Sequence, residues 1–197
     1  MSQRRQRGFT LIELMIVVVI VGVLATLATY SVNNYLQTTK TAEAREVVGS
    51  IMAAQEAFFD ETSRYLDVTG GVTDNDFYPD ATFKGTTVVQ WGSDDGCTGV
   101  DFGGGATPPT CAANFRTLGV FVNTPVRFRY ASTVFAANAA PPLPSTYVSG
   151  YNPDGVKGRR PGYVVVALSD LDGDGGERSA VVGSSLQAQI YGENLGE

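Results

Sequence analysis

The chain has 197 residues, a length that accommodates one ordinary globular domain together with a long additional element. It contains no histidine, which removes the commonest general base and the commonest zinc ligand and argues against an enzyme. The formal net charge is −6 and the basic residues after Lys40 are scattered, which argues against nucleic-acid binding, because phosphate backbones require a clustered basic face.

The first 32 residues combine a short basic segment with a long apolar one. Residues 1–8 (MSQRRQRG) carry three arginines, and no charged residue lies between Leu14 and Ala28. As a helix, residues 9–32 would be about 36 Å long, enough to cross the hydrocarbon core of a bilayer. The arginines predict that the N-terminus stays in the cytoplasm and that the chain beyond the helix lies outside.

This segment is open to three interpretations. A secretory signal peptide is cleaved behind its apolar stretch, after small residues, and LATLATYS is only a weak site of that kind. A plain transmembrane anchor accounts for the length but gives no reason for the carboxylate of Glu13. Cleavage before the apolar stretch, between Gly8 and Phe9, would leave the helix in the mature protein, and the order of the features favours it.

The run GFTLIELMIVVVIVGVLA (residues 8–25) resembles the prepilin cleavage and methylation motif of type IV pilins and of the related pseudopilins of type II secretion. The resemblance implies that a prepilin peptidase cuts after Gly8 and methylates the new amine of Phe9. It also implies that Glu13, fifth in the mature chain, pairs with the Phe9 amine of a neighbouring subunit and thereby registers it. An unpaired carboxylate in a bilayer costs about 2.5–3.5 kcal/mol, so this pairing gives the charge a physical reason.

The pattern becomes amphipathic after Ser31. Apolar residues recur in steps of three and four at Ala44, Val47, Ile51, Ala54 and Phe58. The opposite helical face carries Lys40, Glu43, Arg45, Glu46 and Gln55. Because no proline interrupts residues 9–61, we predict one helix of about fifty residues, apolar all round over 9–32 and amphipathic over 33–65.

Residues 66–197 are predicted to form a β-rich head domain. Its β-rich runs are TTVVQW (86–91), LGVFVN (118–123), VRFRYAS (126–132), GYVVVALSD (162–170) and RSAVVGSSLQAQIYG (178–192). A helix followed by sequential strands predicts an α+β fold, in which an antiparallel sheet packs on the amphipathic half of the helix. The Pro- and Gly-rich stretch 136–161 is predicted to be a long loop, either mobile or an interaction surface.

Two cysteines, Cys97 and Cys111, close a loop of about fifteen residues in the head, and a bond between them would stabilise the fold by about 3 kcal/mol. Two cysteines without a C-x-x-C pair are a poor basis for a metal site. We predict a disulfide in an oxidising compartment; the alternative is a pair of buried free thiols.

The acidic stretch SDLDGDGGE (169–177) places Asp170, Asp172 and Asp174 at alternate positions, like the front half of a calcium loop. The twelfth position is Val181, where such a loop has a bidentate Glu. We favour a plain hairpin turn, which uses Asp and Gly for their tolerance of unusual backbone angles. The second hypothesis is that the three carboxylates bind Ca²⁺ outside the cell.

The pilin resemblance implies a structural role: an inner-membrane precursor that assembles into a type IV pilus-like filament in the periplasm or at the cell surface. The implied partners are other pilin subunits, the prepilin peptidase, membrane lipid, and an assembly ATPase acting through a membrane platform protein. The main alternative is a pseudopilin of type II secretion. Tyr30, where the family commonly has proline, and the long loop favour a minor pilin that binds a surface or DNA. An anchored enzyme is the least supported alternative.

Overall fold

The computed structural model describes residues 9–73, 76–79, 87–92, 97, 99, 110–142, 160–171, 173 and 179–193. These residues form two helices and four strands: α1 (Leu11–Thr62), α2 (Cys111–Thr117), β1 (Arg129–Phe135), β2 (Gly162–Ser169), β3 (Ser179–Ser184) and β4 (Gln187–Glu193). Internal contacts divide the chain into two units, residues 1–36 and residues 37–197. The α+β prediction, with a long N-terminal helix and an antiparallel sheet, is confirmed.

The first unit contains the apolar part of α1. Residues Leu11–Thr29 have a mean hydropathy of 2.8, are long and apolar enough to cross a membrane, and bury nothing against the rest of the chain. Every side chain described between Phe9 and Leu36 is exposed. The hydroxyls of Thr26 and Thr29 donate to the carbonyls of Val23 and Ala25 within the helix, so these polar groups are satisfied without water.

The second unit is built around a sheet in the order β1-β2-β3-β4, with every neighbouring pair antiparallel. In the first pair, Arg129 lies opposite Leu168 and Phe135 lies opposite Gly162. Strands β2 and β3 are buried along their whole length, so both faces of the sheet are covered there. The run 178–192, which reads as one β-rich stretch, is two strands joined by a turn at residues 185–186.

The amphipathic half of α1 packs on this sheet through the predicted apolar stripe. Ala44, Val47 and Ile51 of that stripe are buried, whereas Ala54 and Phe58 are half-buried, and Val48, which was not predicted, is fully buried as well. Gly183 in β3 lets the helix approach, since a Cβ there would lie 2.9 Å from Val48 Cγ1 and would collide with Met52 Sδ. A glycine is required at this position by close packing of helix on strand.

The sequence interpretation placed Gln55 on the exposed face of α1, and this was wrong. Gln55 is fully buried, with its amide nitrogen donating to the Leu66 carbonyl (2.7 Å) and to Ser132 Oγ (3.0 Å). Its amide oxygen accepts the Leu66 N–H at 3.0 Å. A polar residue can lie in a core when its hydrogen bonds are all made, and helical periodicity alone does not reveal such partners.

One part of the head's core is aromatic and lies near α2. The rings of Trp91, Tyr78, Phe115 and Tyr130 pack with centroids 5.0–5.6 Å apart. α2 was not predicted; its N-cap is Thr110, whose hydroxyl accepts the Ala113 N–H at 3.3 Å. The run 118–123 is not a strand, and in the described part of 86–91 Val89 forms an isolated β-bridge to Val126.

Candidate functional site

The N-terminus of α1 is closed by a reciprocal pair of side chains. The backbone N–H and the hydroxyl of Thr10 donate to Glu13 Oε2 at 2.8 and 2.7 Å, and the Glu13 N–H donates to Thr10 Oγ1 at 3.3 Å. Thr10 also accepts the first helical hydrogen bond, from Leu14, through its carbonyl. This is a capping box, which satisfies helix N–H groups that otherwise have no partner.

The capping box changes the interpretation of Glu13. A plain anchor does have a use for the residue, because a helix end in an apolar environment must satisfy its own polar groups. The signal was readable as Thr followed three positions later by Glu, and our sequence interpretation missed it. Both Thr10 bonds go to Oε2, and Oε1 has no hydrogen-bond partner among the described residues.

Phe9 is the first described residue and is 89% exposed, whereas Gly8 lies outside the described residues. Cleavage between Gly8 and Phe9, methylation of Phe9 and subunit registration by Glu13 therefore stay predictions.

The apolar part of α1 presents a surface that requires a cover. Its large apolar side chains expose between 50% and 89% of their area, from Leu36 at the low end to Phe9 at the high end. Soluble monomers rarely expose contiguous apolar patches of more than a few hundred Å². Such a surface can be covered by lipid or by equivalent helices of other subunits.

The predicted disulfide is present in the second unit. Cys97 and Cys111 are joined with their Cα atoms 5.6 Å apart, and neither of the two cysteines is free. The Cys111 N–H also donates to the Cys97 carbonyl, at 3.3 Å. The bond ties the start of α2 to the segment after Trp91 and lies in the aromatic core. The alternative of two buried thiols is set aside.

Only part of the acidic turn lies within the described residues. Asp170 is 4% exposed, and its Oδ1 accepts the Gly173 N–H at 2.7 Å, as in a turn stabilised by its own aspartate. Asp172 and Asp174 lie outside the described residues. Among the described residues, no three acidic, cysteine or histidine side chains gather where they could hold a metal ion. The Ca²⁺ site stays a prediction.

An exposed apolar helix with a capped N-terminus, followed in the chain by an α+β head, is the arrangement expected of a protein with an N-terminal membrane anchor. Comparison with known proteins identifies the family. Residues 3–29 match the prokaryotic N-terminal methylation motif. The chain is 46% identical over 63 residues to the type IV major pilin protein PilA of Myxococcus xanthus, covering 32% of this chain and 29% of that one.

Two further relatives are type II secretion system core proteins G. The protein of Dickeya chrysanthemi is 41% identical over 73 residues, covering 36% of this chain and 46% of that protein. The protein of Pseudomonas aeruginosa is 32% identical over 104 residues, covering 47% of this chain and 73% of that protein. The chain thus belongs to the family of type IV pilins and type II secretion pseudopilins.

The chain spans less than half the length of the first two of these relatives. None of the three names denotes an enzyme. No solved structure matches the chain.

Proposed function

We propose that the protein is a structural subunit of a type IV pilus-like filament. The precursor is cut between Gly8 and Phe9, methylated at Phe9, and held in the inner membrane by residues 9–32. It then enters a filament in which the apolar helices pack at the centre and the head domains face outward. Self-association is its mechanism, and no catalytic step is assigned to it.

The observation that carries this proposal is the coincidence of two features on one segment. The methylation motif covers residues 3–29, and the helix Leu11–Thr29 within it is apolar and unburied. A signal peptide needs no such motif, and a soluble subunit would not expose such a surface. The same surface suits a bilayer before assembly and neighbouring helices afterwards.

The capping box supports a role for Glu13 in assembly. Because Thr10 binds Oε2, the carboxylate is held in one orientation while Oε1 has no partner among the described residues. In the proposed filament, the methylated amine of a neighbour's Phe9 pairs with Glu13 through Oε1, and the capping box stays intact. Neutralisation removes the cost of an unpaired carboxylate in an apolar environment, about 2.5–3.5 kcal/mol.

The proposed partners follow from this route. They are the prepilin peptidase, a membrane platform protein with its assembly ATPase, other pilin subunits, and lipid around residues 9–32. A minor pilin, the assignment that Tyr30 and the predicted loop at 136–161 favour, would differ from a major pilin in abundance; residues 143–159 of that predicted loop lie outside the described residues.

Mass spectrometry of two samples, the membrane fraction and filaments sheared from the cell surface, tests the proposal. We expect an N-terminal peptide beginning at methylated Phe9 in both. A chain that begins with MSQRR in the membrane fraction and is absent from the sheared filaments would refute the processing and, with it, the filament.

The second candidate function is a pseudopilin of type II secretion, supported by the long match to core protein G. Its signature in the same experiment is the processed peptide in membranes alone. A secretion defect in cells lacking the protein would then complete the assignment.

A further inference from the structure

A groove lies on the head beside α1. It is formed by Glu43, Glu46 and Ser50 on the helix and by the segment 121–124 opposite, and it has a volume of about 310 Å³. We call it the acidic groove. All of its residues belong to the second unit.

Three side chains give the acidic groove its chemistry. Phe121 is 62% exposed at the edge of the groove, more than any other large apolar side chain in the described part of the head. Glu46 is exposed and has no salt-bridge partner among the described residues. Glu43 is half-buried beside Glu46, and its Oε1 accepts the backbone N–H of Arg127 at 2.8 Å. An exposed ring beside a carboxylate that has no salt bridge within the described part of the chain suits a guanidinium, which stacks on aromatic faces and binds carboxylates in a planar fork.

Arg160 of the same chain is a cation of this kind. It is exposed and lies close enough to Tyr65 for its charge to act on that residue's hydroxyl, which donates to Glu56 Oε2 at 3.4 Å. Arg160 lies two residues before Gly162, which pairs with Phe135 at the C-terminal end of β1. At the same end of the head, the ring centroid of Tyr163 is 4.9 Å from that of Tyr65, a residue just beyond the end of α1.

The acidic groove lies at the other end of the same strand pair. Arg127, which binds Glu43, precedes the first residue of β1, and β1 has seven residues. At about 3.3 Å per residue, the two ends are about 20 Å apart. The groove and Arg160 are therefore two different patches at opposite ends of one head, and one molecule cannot bring them together.

We propose that the acidic groove of one subunit receives Arg160 of a second copy of the chain. The guanidinium stacks on Phe121 and pairs with Glu46, and the contact is head to tail. A contact between two different patches continues from subunit to subunit when the rotation does not close a ring, which is the geometry that a filament needs. The inference rests on the proposed function and adds a specific contact between heads to it.

Charge reversal with rescue tests this contact in the full chain, expressed as the sole copy in the source bacterium. Glu46→Arg and Arg160→Glu are each expected to lower the amount of subunit in sheared filaments about tenfold, the factor that corresponds to 1.4 kcal/mol of binding free energy. The double variant Glu46→Arg/Arg160→Glu is expected to restore the amount. Folding is monitored by the level of each variant in the membrane fraction.

The matched control is Glu61, an exposed acid on the last turn of α1. Glu61→Arg/Arg160→Glu has the same net charge of −6 as the rescuing double variant and the wild type, because one acid and one base are exchanged in each. It is expected to stay low. Equal rescue by both double variants, or rescue by neither, overturns the contact. Absence of the wild-type chain from filaments overturns the proposed function, and the contact with it.

Discussion

The buried amide of Gln55 is the sharpest test of how the head is held on α1. Replacing it by leucine keeps the size of the side chain but removes three hydrogen bonds to Leu66 and Ser132. Leu66 is 2% exposed and Ser132 is fully buried, so water cannot replace the lost partner. Each buried group left without a partner costs about 1–3 kcal/mol.

The two backbone groups of Leu66 dominate this loss, since the Ser132 hydroxyl can rotate. After allowing for the apolar gain of leucine, we expect Gln55→Leu to lower the free energy of unfolding by about 3 kcal/mol. For a unit the size of residues 37–197, each kcal/mol shifts the melting temperature by about 2–4 °C, so the expected decrease is about 10 °C.

Thermal unfolding of the full chain in detergent, followed by near-ultraviolet circular dichroism of the aromatic core, measures this shift. The control Ser132→Ala removes one of the three bonds and is expected to lower the melting temperature by about 3 °C. A Gln55→Leu chain that melts within about 2 °C of wild type would refute the assignment of Gln55 as the polar link between α1, residue 66 and β1.

Three further substitutions probe other parts of the chain. Burial raises the pKa of Glu43, so the folded chain binds a proton more readily than the unfolded chain, and the unfolding free energy falls as the pH rises from the ordinary glutamate pKa to the raised one. Glu43→Gln keeps an oxygen that accepts the backbone N–H of Arg127, and we expect it to raise the free energy of unfolding at neutral pH by less than about 1 kcal/mol. Denaturant titrations at several pH values measure this difference, which should disappear below the ordinary glutamate pKa. Gly183→Ala should cost about 1–3 kcal/mol through contact with Val48, and an unchanged denaturation midpoint would contradict the close packing. Thr10→Ala should reduce filament yield at constant membrane level while Thr10→Ser restores it, and equal yields would show that the capping box does not prepare assembly.

The helix and the order of the main strands could be predicted from the sequence because their signals are local. The apolar run, the absence of proline before residue 62 and the three-four spacing of Ala44 and Ile51 each depend on near neighbours along the chain. The buried strands β2 and β3 are rich in valine, which favours extended structure.

The features that the sequence interpretation missed depend on distant partners. Gln55 is polar by composition and buried because Ser132, 77 residues away, faces it. The run 118–123 has strand-like composition, but it follows α2, whose start is tied by the disulfide and the Thr110 cap, and it lines one side of the acidic groove. The Thr10–Glu13 capping box is the exception, because its two residues are only three positions apart. The sequence interpretation assigned Glu13 to subunit assembly alone and therefore missed its role in capping the helix.

The apolar half of α1 cannot by itself decide between membrane and filament. Lipid tails are as apolar as leucine and valine side chains, so moving this surface from a bilayer into a bundle of equivalent helices gains little from the hydrophobic effect. Direction and register must then come from polar contacts that exist only in the assembled state. Two such contacts are proposed above: the Oε1 atom of Glu13 with a neighbour's Phe9 amine, and Glu46 with a neighbour's Arg160. A subunit that slips along its neighbour would lose both proposed contacts while keeping its apolar packing, so the two contacts together would fix the axial step.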